Sequence, residues 1–231
     1  MKVFGKNVFN ELRNNVKSIK KVYLAKNFTD KDIVKFIQDN KISYSVMDAK
    51  KMDAMVEGRH QGIIVVVDEY EYVNYETMLN DNIVVMLDHL EDPHNFGAII
   101  RTCEAAGVDA IIIPKRRGVE INSTVMKVSA GALNNINIVE VSSIAQTIDK
   151  LKDFGYWVYG TDMDGETYTN CKYDSKTCLV IGAEGNGISK LVHDKCDFII
   201  SIPMVGKINS LNASVAAGIT IYEVVRQRSE R

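Results

Sequence analysis

From Ile83 onward the sequence alternates short apolar runs with helix-length segments, and this alternation constrains the fold more than any other feature. The apolar runs fall at Ile83–Leu87, Val108–Ile113, Ile136–Val141, Tyr156–Gly160, Cys178–Ile181 and Phe198–Ile202. Helical patterning occupies Asn95–Ala106, Asn122–Val128, Ser143–Phe154, Ile188–Asp194 and Leu211–Arg228. Strands that are apolar throughout have both faces covered, so the pattern predicts an α/β fold with a mainly parallel sheet between helices. Ligands of such sheets bind beyond the carboxyl ends of the strands. The loops at those ends are where chemistry is sought.

The preceding stretch alternates as well. Asn7–Asn15 reads as a helix, Lys20–Leu24 as a strand, and Thr29 or Asp30 as the cap of a helix reaching Asn40. Ser43–Met47, Asp48–Val56 and Ile63–Val67 follow as strand, helix and strand. The expectation is a small α/β domain over 1–67, an acidic, tyrosine-rich linker over 68–82 and a second domain over 83–231. Formal net charge is −2, but its distribution is uneven. Residues 1–67 hold 13 Lys+Arg against 7 Asp+Glu, and residues 68–231 hold 15 against 23. A basic first third suggests contact with a polyanion, although a solvated lysine-rich surface has the same composition.

Several classes are disfavoured. The apolar runs are far shorter than the roughly 20 residues that span a bilayer, and Met1–Asn15 lacks an apolar signal core. A cytoplasmic protein with no membrane partner is expected. Cys103, Cys171, Cys178 and Cys196 form no C-x-x-C pair and read as reduced thiols; with the four histidines they show no metal-ligand spacing, so no metal site is expected.

Three loops carry the polar chemistry. In Asp88–Arg101, Asn95 can cap the following helix and Arg101 can present a five-donor cation to the crevice. Gly182-Ala-Glu-Gly-Asn-Gly187 lets backbone approach a ligand, yet its glycine order is not the dinucleotide fingerprint. Glu184, among those glycines, argues against a phosphate cradle and suits a ligand with a cationic centre or hydroxyls. In Ile202–Ala217, Asn209 or Ser210 could cap a long helix. Each loop alone is equally a cap or a glycine turn.

Together they resemble the three motifs of the SpoU branch of the SPOUT RNA ribose 2′-O-methyltransferases. Asn95 with Arg101 matches the first motif, Gly182-x-Glu184-Gly185-x-Gly187 the second, and Ser210-Leu-Asn212-x-Ser214 the third. Gly58-Arg-His-Gln-Gly-Ile63 and its surroundings resemble the substrate-binding domain of bacterial 23S rRNA guanosine 2′-O-methyltransferases, and Glu223–Arg228 agrees. The resemblance implies a deep trefoil knot in the C-terminal domain, a homodimer, and bent S-adenosylmethionine held by Gly182, Ala183, Gly187, Ile202, Pro203 and Leu211. It implies that Arg101 acts on the ribose hydroxyl, with Asn95, Glu184, Ser210 and Asn212 orienting the reactants. RNA contacts are expected from Arg59, Lys115, Arg116 and Arg117. A tRNA substrate, or a non-catalytic RNA-binding protein of the same fold, are the alternatives.

Overall fold

A computed structural model describes residues 1–78, 82–173, 176–183, 185, 187 and 188–229. The chain forms two compact units, Met1–Glu71 with Ile121–Gly131, and Tyr72–Glu120 with Ala132–Arg231.

The first unit begins with β1 (Lys2–Phe4), α1 (Lys6–Leu12) and β2 (Ile19–Ala25). It continues with α2 (Lys31–Asp39), β3 (Tyr44–Met47), α3 (Ala49–Asp53) and β4 (Ile63–Val67). Strand order is β1-β4-β2-β3, with β4 antiparallel to β1 and β2, and β3 parallel to β2. The α2 pattern is realised as expected: Ile33 and Ile37, four apart on one face, are buried against Val22, Val65 and Phe9. Asp30 is the cap, accepting from Ile33 N at 3.3 Å. β1 escaped the sequence pattern because three residues carry no period.

The second unit is a six-stranded, wholly parallel sheet. Its elements are β5 (Ile83–Asp88), α4 (Pro93–Ala105), β6 (Ala110–Pro114), then, past the segment α5 (Ser123–Val128), β7 (Asn137–Val141), α6 (Ile144–Asp153) and β8 (Trp157–Thr167). β9 (Thr177–Gly182), α7 (Lys190–His193), β10 (Phe198–Ser201) and α8 (Ala213–Ser229) complete it. The order is β10-β8-β9-β5-β6-β7. Every residue of the central strands β5 and β9 is buried, which is why their sequences are apolar without alternation. All six strands point the same way, so Asp88, Pro114, Gly182 and Ser201 end on one edge.

Several local expectations are corrected. The α4 cap is Asp92, not Asn95: Asp92 accepts from His94 N at 2.9 Å and Pro93 opens the helix. The residue before α8 that caps it is Asn212, not Asn209 or Ser210, accepting from Ser214 N (2.9 Å) and Val215 N (3.3 Å). β8 runs past Gly160 to Thr167, its register with β10 jumping from Gly160 to Glu166, so Thr161–Gly165 bulge outward. The segment 121–131, expected in the second domain, packs with the first unit, Met126 lying against its core. Of the expected linker, 68–71 go with the first unit and Tyr75, its ring beneath Lys150 Nζ at 4.7 Å, packs on the core of the second. Residues 79–81 lie outside the described residues.

Candidate active site

The carboxyl edge of the sheet holds a cavity of about 430 Å³, within the size range of small-molecule sites. It lies where the β9 and β10 loops meet the start of α8. Gly182, Ala183, Gly187, Ile202, Pro203 and Leu211 all line it, as does Ser210. Thr161, Asp162 and Met163 from the β8 bulge form a wall that the sequence did not announce, because a polar Thr-Asp-Met-Asp run reads as loop until the pairing on either side of it with β10 is known.

Gly182 is the position most tightly dictated. A Cβ there would lie 2.1 Å from the Gly187 carbonyl carbon and 2.5 Å from Ile188 N, so backbone meets backbone and any side chain is excluded. Ala183 and Gly187 exchange two backbone hydrogen bonds (3.1 and 3.2 Å), closing a turn in which Gly185 (φ +80) and Gly187 (φ +62) take left-handed conformations. Glu184 and Asn186 lie outside the described residues, so the expected place of Glu184 stays a matter of sequence.

The first and third motifs are joined directly. Asn212 Nδ2 donates to Asn95 Oδ1 at 2.9 Å across 117 residues of chain, and Asn95 Nδ2 donates to Asp92 Oδ2 at 2.9 Å. Asn212 Oδ1 also accepts from Ser214 Oγ at 2.6 Å. Asn95 is only 5% exposed while Asn212 stands exposed, and their bond fixes the α8 start against the α4 start. Arg101 lies further along α4, about 9 Å beyond Asn95 at the helical rise. It is exposed, is not a lining residue of the cavity, and forms no ion pair with a described residue. The cavity and the Asn212–Asn95 bond lie at the carboxyl edge, whereas Arg101, expected to face the crevice, is exposed and does not line the cavity.

Lys115, Arg116 and Arg117 rise exposed from the end of β6, on the same edge, and Lys115 lies 4.0 Å from Glu140. Arg59 is exposed in the first unit. The four cysteines are free, and burial pushes the Cys196 thiol up to about 12. Asp162, Asp164 and His193 offer atoms within 4.8 Å of one another, with Asp164 exposed and the other two half-buried. No helix among the described residues is long and apolar enough to cross a membrane.

An all-parallel sheet with its polar loops gathered round one cavity defines a small-molecule-binding α/β unit, joined here to a basic auxiliary one. Comparison with known families is decisive about which. Residues 82–222 match the SpoU rRNA Methylase family, and residues 2–73 match the RNA 2′-O ribose methyltransferase substrate binding family. The chain belongs to the SpoU methylase family. It is 46% identical over 207 residues to a protein of Staphylococcus aureus assigned to the TrmH family of tRNA/rRNA methyltransferases, covering 86% of this chain and 84% of that one. The SpoU methyltransferase AviRb of Streptomyces viridochromogenes, solved with AdoMet, superposes with a TM-score of 0.85 at 23% identity, over 99% of this chain and 90% of that one. The TrmH/SpoU tRNA modifying enzyme of A. aeolicus is 32% identical with a TM-score of 0.61, over 65% of this chain and 77% of that one.

Proposed function

We propose that this chain transfers the methyl group of S-adenosylmethionine to a ribose 2′-hydroxyl of rRNA, a guanosine of 23S rRNA being the target, and that it works as a cytoplasmic homodimer. The observation that carries this reading is the convergence of Gly182, Ala183, Gly187, Ile202, Pro203, Leu211 and Ser210 on one cavity tied by Asn212 to Asn95.

The residues fit the cofactor. Gly182, Ala183 and Gly187 bring main chain to the cavity wall, in a close approach of Gly182 to Gly187 that leaves no room for a Cβ. Ile181, Ile202 and Leu211 supply apolar surface for an adenine ring, and Ser210 and Thr161 supply hydroxyls. Asp162, beside Gly187, adds negative charge suited to a sulfonium-bearing ligand. When bound, S-adenosylmethionine supplies an electrophilic methyl group. The protein's task is then alignment and management of the alcohol proton, and alignment alone can contribute roughly 7–11 kcal/mol. The fixed fork of five N–H donors on Arg101 suits it to stabilise developing alkoxide and the neighbouring phosphate. Its exposure suits a group that meets RNA. Asn95, Ser210 and Asn212, with Glu184, hold the reactants in register. The trefoil knot of the family would make this loop cluster rigid.

For rRNA speak the family description and the basic first unit, which the tRNA enzyme's 65% match is too short to include together with the whole second unit. For the dimer speak Met204, Val205 and Ile208, apolar side chains that stand in solvent in a single copy. The test is tritiated methyl transfer to rRNA and tRNA fragments. Arg101→Ala is expected to lower kcat by about 10²–10³ while calorimetry shows S-adenosylmethionine binding unchanged. Full turnover in that variant would overturn its role, transfer confined to tRNA would reassign the substrate, and a wild-type chain that does not bind the cofactor would leave an RNA-binding protein.

A further inference from the structure

Asp88 ends β5 beside the cavity without lining it. It is 1% exposed, and a buried carboxylate is costly unless its oxygens are used. Oδ2 accepts from Ser189 N at 2.7 Å, a bond spanning 101 residues of sequence. Oδ1 accepts no hydrogen bond from a described residue, and His89 Nδ1 lies 2.7 Å away, off the bonding direction. The backbone of the same residue pairs with Gly182. Asp88 therefore holds the glycine loop at both ends, its main chain at the entrance (Gly182) and its carboxylate at the exit (Ser189).

Between those two points lie Ala183, Gly185 and Gly187, whose turn is closed by one pair of backbone bonds. A Cβ on Gly185 would meet nothing within 4 Å, so that position is open. Glycine-rich segments lose the most conformational entropy on ordering, and a loop not already fixed must be ordered by its ligand at the expense of affinity. We infer that Asp88 is a positioning residue for cofactor binding: its carboxylate pins Ser189 N and so pre-forms the paired Ala183 and Gly187 backbone that walls the cavity. This rests on the proposed use of that cavity for S-adenosylmethionine.

The bond can be cut from either side. Asp88→Ala removes the acceptor. Ser189→Pro removes the N–H donor, together with a hydroxyl that makes no capping bond, at φ −63 and ψ 147, values that proline adopts. Asp88→Asn keeps an oxygen that can accept. S-adenosylmethionine affinity, read by calorimetry on the full chain, should fall about 10- to 100-fold in Asp88→Ala and Ser189→Pro, the worth of one charge-assisted hydrogen bond. The double variant should bind no more weakly than the worse single variant, Asp88→Asn should recover most of the loss, and the KM for RNA should stay put. If Ser189→Pro binds the cofactor as the wild type does, or if the two losses multiply, the inference is overturned. Failure of the wild type itself to bind would sink the cofactor reading instead.

Discussion

Each unit carries a glycine loop at the end of a strand, and the two loops use glycine for opposite purposes. In the first unit, 58–62 leads into β4. His60 Nδ1 accepts from Gly62 N at 2.9 Å, which makes Nε2 the protonated nitrogen that donates to Asp53 Oδ1 at 3.0 Å. Gln61 Oε1 accepts from Lys6 N at 2.9 Å. The His60 and Gln61 side chains thus bond within the unit, and Gly62 is needed for its φ of +81. In the second unit, Gly182 is needed so that two backbones can touch, and the turn beyond it walls a cavity. One loop is closed upon itself; the other is built around a space. Glycine in a sequence does not say which.

Substitution separates the two. Gly182→Ala is expected to abolish measurable S-adenosylmethionine binding, a loss beyond 100-fold, since the added methyl meets backbone at 2.1 Å and no side chain can yield. Gly62→Ala meets the edge of Phe28 at 2.9 Å and a left-handed φ, costing roughly 1–2 kcal/mol of stability with cofactor affinity unchanged. Calorimetry and thermal melts on both variants decide the matter. A Gly182→Ala chain that binds normally would show the close approach to be dispensable.

The helix caps extend the contrast. Asp30 caps α2 and also receives Lys6 Nζ at 3.0 Å, a local arrangement. Asn212 caps α8 while reaching Asn95. Asp30→Ala should cost about 1 kcal/mol and leave turnover alone. Asn212→Ala removes a cap and takes one donor from buried Asn95, so kcat/KM should drop about tenfold or more along with stability. Equal turnover in the two variants would mean that the Asn212–Asn95 bond does nothing for chemistry.

These differences mark what sequence can disclose. β5 and β9 were legible because complete burial demands unbroken apolar runs, and the cavity loops because glycine and small polar residues recur at family spacing. The Asp92-Pro93 pair carries the α4 cap signal, proline preferring the first helical position, whereas Asn95 reads as a cap by residue type alone. Asn95 was instead reserved for a partner 117 residues away, which no local pattern can reveal. The same holds for Met126, whose helix was legible but whose core belongs to the other unit, and for the β8 bulge, whose strand character comes only from β10.

Charge offers a smaller effect that also compares the units. The first is basic, and the second presents Lys115, Arg116 and Arg117 on an otherwise acidic chain segment. Replacing those three with serine should weaken RNA binding several-fold at low salt and reduce the slope of log affinity against log salt by about one per lost phosphate contact. Arg59→Ser should reduce it by at most one. A triple variant with an unchanged slope would place the electrostatic grip on the first unit.

The smallest expected effect is on acid stability, and its sign follows from Glu223 on α8. The Arg226 guanidinium bonds both of its oxygens (2.9 and 2.8 Å) and holds this buried carboxyl below its ordinary value of 4.5; Gln227 adds a bond at 2.8 Å, and desolvation opposes both. A carboxyl depressed on folding binds fewer protons in the native state than in the unfolded one. Its contribution is therefore complete above about pH 4.5 and drains away as pH falls through the lower folded value. Glu223→Gln should leave a chain whose unfolding free energy falls less steeply with acid below pH 4.5, with the curves parallel at neutral pH. Asp30, lowered chiefly by its bond from Lys6, sets the matching limb for the first unit. Denaturant titrations across pH 3–6 on Glu223→Gln and Asp30→Asn would then show whether acid opens the two units together or one before the other. Identical acid limbs in wild type and Glu223→Gln would remove the α8 ion pair from the account.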